Sequence, residues 1–252
     1  MRELSREASA MLSIAQALQP QGAFCASLPT GGTILDVGCN DFGRVQRYVG
    51  RHRRDLTIVG LEKFEGDSIY GPLEPPPAIP GGPVFRRLKC DIEEERFAFA
   101  DDTFDGAYMS HVIEHLEKKA PALAEIARVL KPGALFYIET PGPASRNVRR
   151  PAFVPERLGG TIAYHDDPTH LGDPMTTGEL SALLQAAGLR VERTGTFREL
   201  GAVGMPLYAS MATAGLLPLP SAHLRDRLYG AGMRNLIGFA IYAIARKPDA
   251  TR

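Results

Sequence analysis

The sequence has no tryptophan and only three cysteines among its 252 residues. Cys25, Cys39 and Cys90 are far apart and odd in number, so no disulfide framework is expected. With no C-x-x-C pair, the usual cysteine-based zinc site is excluded as well. Neither sign of charge is in excess, since 29 Lys and Arg offset 29 Asp and Glu. No global field would recruit nucleic acid or an anionic membrane. Long apolar runs are also missing. The longest stretch free of charged side chains, Leu200 to Leu224, is broken by Pro206, Pro218 and Pro220 and by Gly201, Gly204 and Gly215, a poor composition for a bilayer span. Met1 to Leu18 carries Glu3 and Glu7, unlike the apolar core of a signal peptide. The expectation is a soluble, cytoplasmic protein in a reducing compartment, with no nucleic-acid partner and no membrane insertion.

What is present is an ordinary globular composition, 44% hydrophobic and 23% charged. Residues 3–18 place Leu4, Ala8, Met11, Leu12, Ala15 and Leu18 at helical intervals. Strands are predicted at Thr33–Val37, Leu56–Leu61, Val84–Leu88, Phe104–Met109, Ala134–Glu139, Leu189–Phe197 and Leu236–Ala245. Helices are predicted over 44–50, over 121–130 and after the capping-box pair Thr176 and Glu179, with Gly188 closing the last. The alternation predicts an α/β fold with a parallel sheet. Proline-rich Gly71 to Pro83 stands where a crossover helix would normally lie. The long segments 141–175 and 198–235 read as cap insertions near the carboxyl edge of the sheet, where open α/β folds bind ligands.

The chemistry concentrates at strand ends. Ile34-Leu-Asp-Val-Gly-Cys-Asn-Asp-Phe-Gly43 runs from the first strand into a glycine-bearing turn, where backbone can approach a ligand closely. Glu62 ends the second strand, placed to accept from both hydroxyls of a ribose. Asp91 follows the third, placed for an adenine amino group, with Ile92 beside it to pack on the ring. Three acids in this arrangement suit an adenosine without phosphates, because a triphosphate calls for a lysine and a Gly-rich cradle. The G-x-G-x-x-G spacing of a nicotinamide dehydrogenase is missing.

Ile34-Leu-Asp-Val-Gly-Cys39, Phe104-Asp-Gly-Ala-Tyr-Met-Ser-His-Val-Ile-Glu-His-Leu116 and Ala127-Arg-Val-Leu-Lys-Pro-Gly133 together resemble class I S-adenosylmethionine-dependent methyltransferases of the small-molecule, type 11/23-like branch. The resemblance runs from about Gly31 to Lys247. It implies a Rossmann-like methyltransferase fold: a seven-stranded, mostly parallel sheet with helices on both faces, a final antiparallel strand and cap insertions. It divides the chain into an N-terminal helical segment (1–30), a methyltransferase domain (31–247) and a tail (248–252). The implied cofactor is S-adenosyl-L-methionine, leaving as S-adenosyl-L-homocysteine. Asp36 and Gly38 would flank its methionine part, Glu62 its ribose and Asp91 its adenine. Cys39, Asn40, Gly43, Lys63, Ile92 and Ser110 complete that shell, and Ser110 and His111 border the reacting methyl. The chain departs from the family's G-x-G-x-G at Asn40, which tolerates left-handed backbone, and at Phe42-Gly43.

Two histidine motifs follow. His111-Val-Ile-Glu114-His115 matches the H-x-x-E-H of inverted zinc peptidases, with both histidines on one face if the segment is helical. Because the same letters recur in the methyltransferases without zinc, no metal is expected there. Tyr164-His-Asp-Asp-Pro-Thr-His170 sets two histidines and two carboxylates inside an insertion. His165 or His170 is the candidate proton acceptor, with Asp166 or Asp167 as orienter and His111 as a further catalytic candidate. A divalent ion on His165, Asp166 and His170 is a secondary reading.

Blander features surround them. Arg44, Arg47, Arg51, Arg53 and Arg54 read as a solvated face. Arg146, Arg149 and Arg150 suit the surface or an anionic acceptor. Ala202 to Leu219 reads as a packed lid helix that leaves room for an apolar acceptor or a homodimer. Tyr108 and Tyr164 offer aromatic faces to a sulfonium or belong to the core. The expected function is methyl transfer to a small-molecule acceptor, first at oxygen of a sugar or secondary metabolite. N- or C-methylation, or a weakly active cofactor-binding scaffold, are the alternatives.

Overall fold

The computed structural model describes residues 19–40, 42, 45, 53–68, 71–147, 163–198, 205–217 and 221–249. The helices expected over 3–18 and 44–50 lie outside these residues, apart from Val45. The strands are β1 (Thr33–Val37), β2 (Thr57–Glu62), β3 (Asp67–Ser68), β4 (Gly71–Pro72), β5 (Val84–Lys89), β6 (Phe104–Ser110), β7 (Leu130–Pro141), β8 (Arg190–Phe197) and β9 (Ala240–Arg246). The α-helices are α1 (Pro20–Ser27), α2 (Lys119–Val129), α3 (Thr177–Ala186), α4 (Met205–Gly215) and α5 (Ala222–Ile237).

Seven strands form one sheet in the order β5-β2-β1-β6-β7-β9-β8. The first five run parallel, while β9 is antiparallel to both β7 and β8. Strand alternation sends successive side chains into two cores. Leu35, Val37, Ala107, Met109, Phe136 and Ile138 pack against Leu123 and Ile126 of α2 and Leu180 and Leu184 of α3. Ile34, Ile58, Tyr108, Tyr137 and Tyr242 pack on the other face against Phe24, Cys25 and Leu28 of α1 and its flank. Tyr108 is therefore core: its ring stacks on Tyr137 at 5.2 Å and it is 1% exposed, so it offers no face to a ligand.

The expected strand over Leu236–Ala245 needs correction at its start. Leu236 and Ile237 are the last turn of α5, which Gly238 ends in a left-handed conformation with φ 67°; β9 begins only at Ala240. Apolar residues at every position could not tell the end of a half-buried helix from the start of a buried strand. The helix predicted over 121–130 gives way at Leu130 to β7, which runs on through Lys131-Pro132-Gly133. Gly71–Pro83 contains no helix, and its chain passes from the β3–β4 hairpin into an extended segment. Insertion 198–235 supplies α4 and α5 side by side. A side chain at Gly232 would come within 2.5 Å of the Ala212 backbone, so only glycine permits this approach. Among the described residues, no helix is long and apolar enough to cross a membrane.

Two substitutions test this framework. A Cβ at Gly60 would lie 2.4 Å from Cys39 Sγ and 2.5 Å from the Phe42 ring. Gly60→Ala is expected to destabilise by about 1–3 kcal/mol in urea unfolding, through overpacking beneath the loop after β1. Thr176 caps α3 by accepting from the Glu179 N–H at 3.2 Å while Glu179 accepts from the Thr176 N–H at 2.7 Å. Thr176→Ala is expected to cost about 1 kcal/mol in the same measurement.

Candidate functional site

The carboxyl ends of β1, β2, β6 and β7 carry one polar residue each on the α1 face: Asp36, Glu62, Ser110 and Glu139, which are between 2% and 8% exposed. Asp36, Ser110 and Glu139 follow Ile34, Tyr108 and Tyr137 two positions earlier on the same strand face, and Glu62 follows Gly60, so the alternation that builds the core also sets the site. The loop after β1 turns sharply. Gly38, Asn40 and Phe42 all have positive φ (68°, 45° and 60°), and a Cβ at Gly38 would meet Val112 at 2.3 Å. Asn40 thus adopts the left-handed geometry expected of it. Its N–H donates to Glu62 Oε2 at 2.9 Å, and its carbonyl accepts from Arg87 Nη1 at 2.8 Å. Glu62 Oε1 accepts the Lys63 N–H at 2.9 Å. Oε1 also accepts the Phe64 N–H at 3.4 Å, while Oε2, with the Asn40 N–H alone, keeps a lone pair for a further donor.

Asp91, beyond β5, is held below the usual carboxylate range: burial opposes its charge, but Lys63 at 2.9 Å and the Glu93 N–H outweigh that. Lys63 is thereby an anchor for Asp91. Cys39 sits next to these acids, and its thiol is pushed far up by burial and by the charges of Asp36 and Glu62. It is therefore a neutral wall of the loop. Ile92, 8% exposed, packs in the core beside Cys90, and Gly43 lies outside the described residues.

Glu139 is buried more deeply than Asp36 or Glu62. Its Oε2 accepts from Gln21 Nε2 of α1 at 2.6 Å and from Tyr137 Oη at 2.6 Å, and its Oε1 accepts from Ser110 Oγ at 2.8 Å. His111 follows Ser110 with φ 55°, a left-handed conformation costing about 1–3 kcal/mol for a non-glycine residue. That turn aims the ring between two acids: Nδ1 lies 3.2 Å from Glu114 Oε1 and Nε2 lies 3.5 Å from Glu139 Oε1. Burial penalises the Glu114 charge, yet the His111 ring beside it holds the carboxyl below its ordinary range.

The left-handed step at His111 also corrects the H-x-x-E-H reading. The segment is a single 3-10 turn, Ile113–His115, that starts after His111. His111 and His115 therefore share no helical face. His115 instead meets His170, with ring centroids 4.8 Å apart. His170 does not join His165: its Nδ1 lies 2.6 Å from the Tyr164 carbonyl, its ring stacks on Tyr164 at 4.4 Å, and its side chain is 6% exposed. His165 is exposed and meets the edge of Tyr164. The Asp166 side chain is outside the described residues. Asp167 turns inward onto Thr169 (Oγ1 to Oδ1, 2.6 Å). Burial opposes its charge, but the Thr169 hydroxyl and N–H keep it low. Arg146 pairs with Asp173 at 2.5 Å, whereas Arg149 and Arg150 lie outside the described residues.

The structure thus gathers Asp36, Glu62, Lys63 and Asp91 at one end of the sheet, and Ser110 and His111 beside it. It adds Gln21, Tyr137, Glu139 and Thr140, which sequence reasoning passed over. Glu139 carried the same signal as Glu62, an acid closing an apolar strand. Gln21 carried none, since its partner lies 118 positions away.

A family model described as a methyltransferase domain matches residues 8–194. Among curated proteins, the O-methyltransferase resE of Aspergillus sclerotiorum is 30% identical over 169 residues, 66% of this chain and 57% of that protein. The ubiquinone/menaquinone biosynthesis C-methyltransferase UbiE of Geobacter sulfurreducens is 32% identical over 129 residues, 50% of this chain and 48% of that protein. The chain spans about half the length of the curated relatives it matches. Among solved structures, an S-adenosylmethionine-dependent methyltransferase from Mesorhizobium loti superposes with a TM-score of 0.53 at 21% identity, covering 89% of this chain and 95% of that one, a likeness of fold. Because the family match extends over more than half of the chain and reaches from before α1 into β8, this protein belongs to the methyltransferase-domain family.

Proposed function

We propose that the protein transfers a methyl group from S-adenosyl-L-methionine to a small-molecule acceptor, at oxygen of a sugar or secondary metabolite, releasing S-adenosyl-L-homocysteine. The observation that carries this reading is the row of Asp36, Glu62 and Asp91 at the carboxyl ends of three adjacent parallel strands, around a loop that Gly38 and Asn40 bend back. This donor set fits the group: carboxylate oxygens for ribose hydroxyls and an amino group, and no lysine-rich cradle for phosphate. The name of the Aspergillus sclerotiorum relative supports oxygen as the acceptor atom.

When bound, S-adenosyl-L-methionine supplies an electrophilic methyl whose leaving group departs as a neutral thioether. The chain therefore has no anionic leaving group to stabilise; its work is to align the acceptor, exclude water and take up the proton that an acceptor hydroxyl gives up, for which His111 is the candidate. Glu62 would hold the ribose, and Asp91, braced by Lys63, would meet the adenine edge. Ser110 and His111, at the carboxyl end of β6, face the acceptor. The two carboxylates on either side of His111 fix its ring plane, and this rigidity orients the acceptor oxygen. Of the turn Tyr164–Asp166, Tyr164 is buried against His170, and His165 is the exposed ring.

Glu62→Ala is expected to weaken binding of both S-adenosyl-L-methionine and S-adenosyl-L-homocysteine at least tenfold in calorimetry, a loss of about 1.4 kcal/mol or more. Undiminished binding would remove the cofactor assignment. His111→Ala is expected to lower kcat about a hundredfold with cofactor affinity unchanged within about twofold, the signature of lost alignment. A panel of sugar, phenol, alcohol and amine acceptors tests the reaction itself. Tight cofactor binding with no turnover on any of them would make the chain a scaffold and overturn the enzymatic reading.

A further inference from the structure

Glu114, His115 and His170 converge, although two come from the turn after β6 and the third from the insertion after β7. One ligand atom from each lies within 4.8 Å of the others. The two segments are tied together, because the Leu171 N–H donates to the Glu114 carbonyl at 2.9 Å and Tyr164 Oη donates to the Leu171 carbonyl at 3.1 Å.

The proton positions on both rings follow from their partners. His170 Nδ1 faces the Tyr164 carbonyl, which can only accept, so Nδ1 carries the hydrogen. His115 Nδ1 lies 2.9 Å from Thr169 Oγ1 and 3.2 Å from the Thr169 carbonyl. Thr169 Oγ1 already donates its hydrogen to Asp167 Oδ1, so it too accepts, and His115 carries its hydrogen on Nδ1. In its neutral form each ring thus has its lone pair on Nε2; that of His170 lies 3.8 Å from Asp167 Oδ2. Imidazoles that bind metals are held in this way, with one nitrogen donating to a carbonyl or to a relay ending on a carboxylate.

The carboxylate completes the set. Glu114 is 2% exposed, and its Oε2 accepts from Thr140 Oγ1 at 3.0 Å. Its Oε1 is buried and, among the described residues, has no partner besides the His111 ring, whose Nδ1 is 3.2 Å away. A buried carboxylate oxygen left this way is costly unless a further positive partner answers it.

We infer that Glu114, His115 and His170 form a binding site for a first-row divalent transition ion. Two imidazole nitrogens and one carboxylate oxygen suit zinc, manganese, iron or cobalt better than magnesium or calcium, which prefer oxygen throughout. Bonds near 2.1 Å bring such ligands to roughly 3.3 Å from one another, so the triad must contract on binding. Three protein ligands leave coordination positions open. Only the ion's use in turnover rests on the methyltransferase reading; its binding does not.

The test is titration of the full chain, stripped with a chelator, with Co2+ while visible d–d absorption is recorded. One equivalent is expected to bind, and affinity is expected to fall at least tenfold in both His170→Ala and Glu114→Gln. His165→Ala, whose ring lies outside the triad, should bind as the unmodified chain does. Calorimetry with S-adenosyl-L-homocysteine on the same samples reports whether each variant is folded and tests the cofactor reading separately. Absence of saturable Co2+ binding in the unmodified chain, or affinity unchanged in both variants, would overturn the site.

Discussion

A carboxylate as deeply buried as Glu139 is tolerated only where several donors replace the water it has lost. Here the donors come from three places: Gln21 on α1, Ser110 on β6 and Tyr137 on the same strand. Meeting that demand fixes where α1 sits on the sheet and how the ends of β6 and β7 register. It also sets the polarity of the floor on which any acceptor rests. Behind it, the rings of Tyr108, Tyr137 and Tyr242 stack in a column that keeps the backing dry. The acidic rim and the aromatic core are therefore one construction. Asp36, Ser110 and Glu139 stand on the same strand face as Ile34, Tyr108 and Tyr137, two residues earlier, so the rim continues the face that builds the core.

The same strand alternation explains how much could be read from sequence. Every strand of the large sheet was recognisable, as were the capping box at Thr176 and the acids Asp36, Glu62 and Asp91, because each is a local pattern. The start of the last strand was not. Leu236 and Ile237 look alike in either structure, and only the left-handed turn at Gly238 separates them. Gln21, Thr140 and the meeting of His115 with His170 were beyond reach for another reason: their partners are remote in sequence, so nothing in the local string announces them.

His111 shows how a single backbone torsion redirects a motif. Read as a helix, H-x-x-E-H pairs its two histidines. The structure instead places His111 in left-handed geometry and begins the 3-10 turn after it. One ring is turned toward Glu139 on the cofactor face and the other toward His170 under the insertion. Glu114 lies between these two environments, and the strain at His111 is the cost of separating them.

Arg53 gives the leading helix a meaning of its own. Its guanidinium holds the carbonyls of Cys25, Leu28 and Pro29, at and just beyond the end of α1, while Asp55 holds the guanidinium. The segment before β1 is in this way bolted to the sheet at one end and bonded to a buried charge at the other. Anyone recombining this scaffold with a relative would have to cut upstream of Pro20, since a crossover just downstream of Pro29 would leave a donor, Gln21, and its acid, Glu139, inherited from different parents.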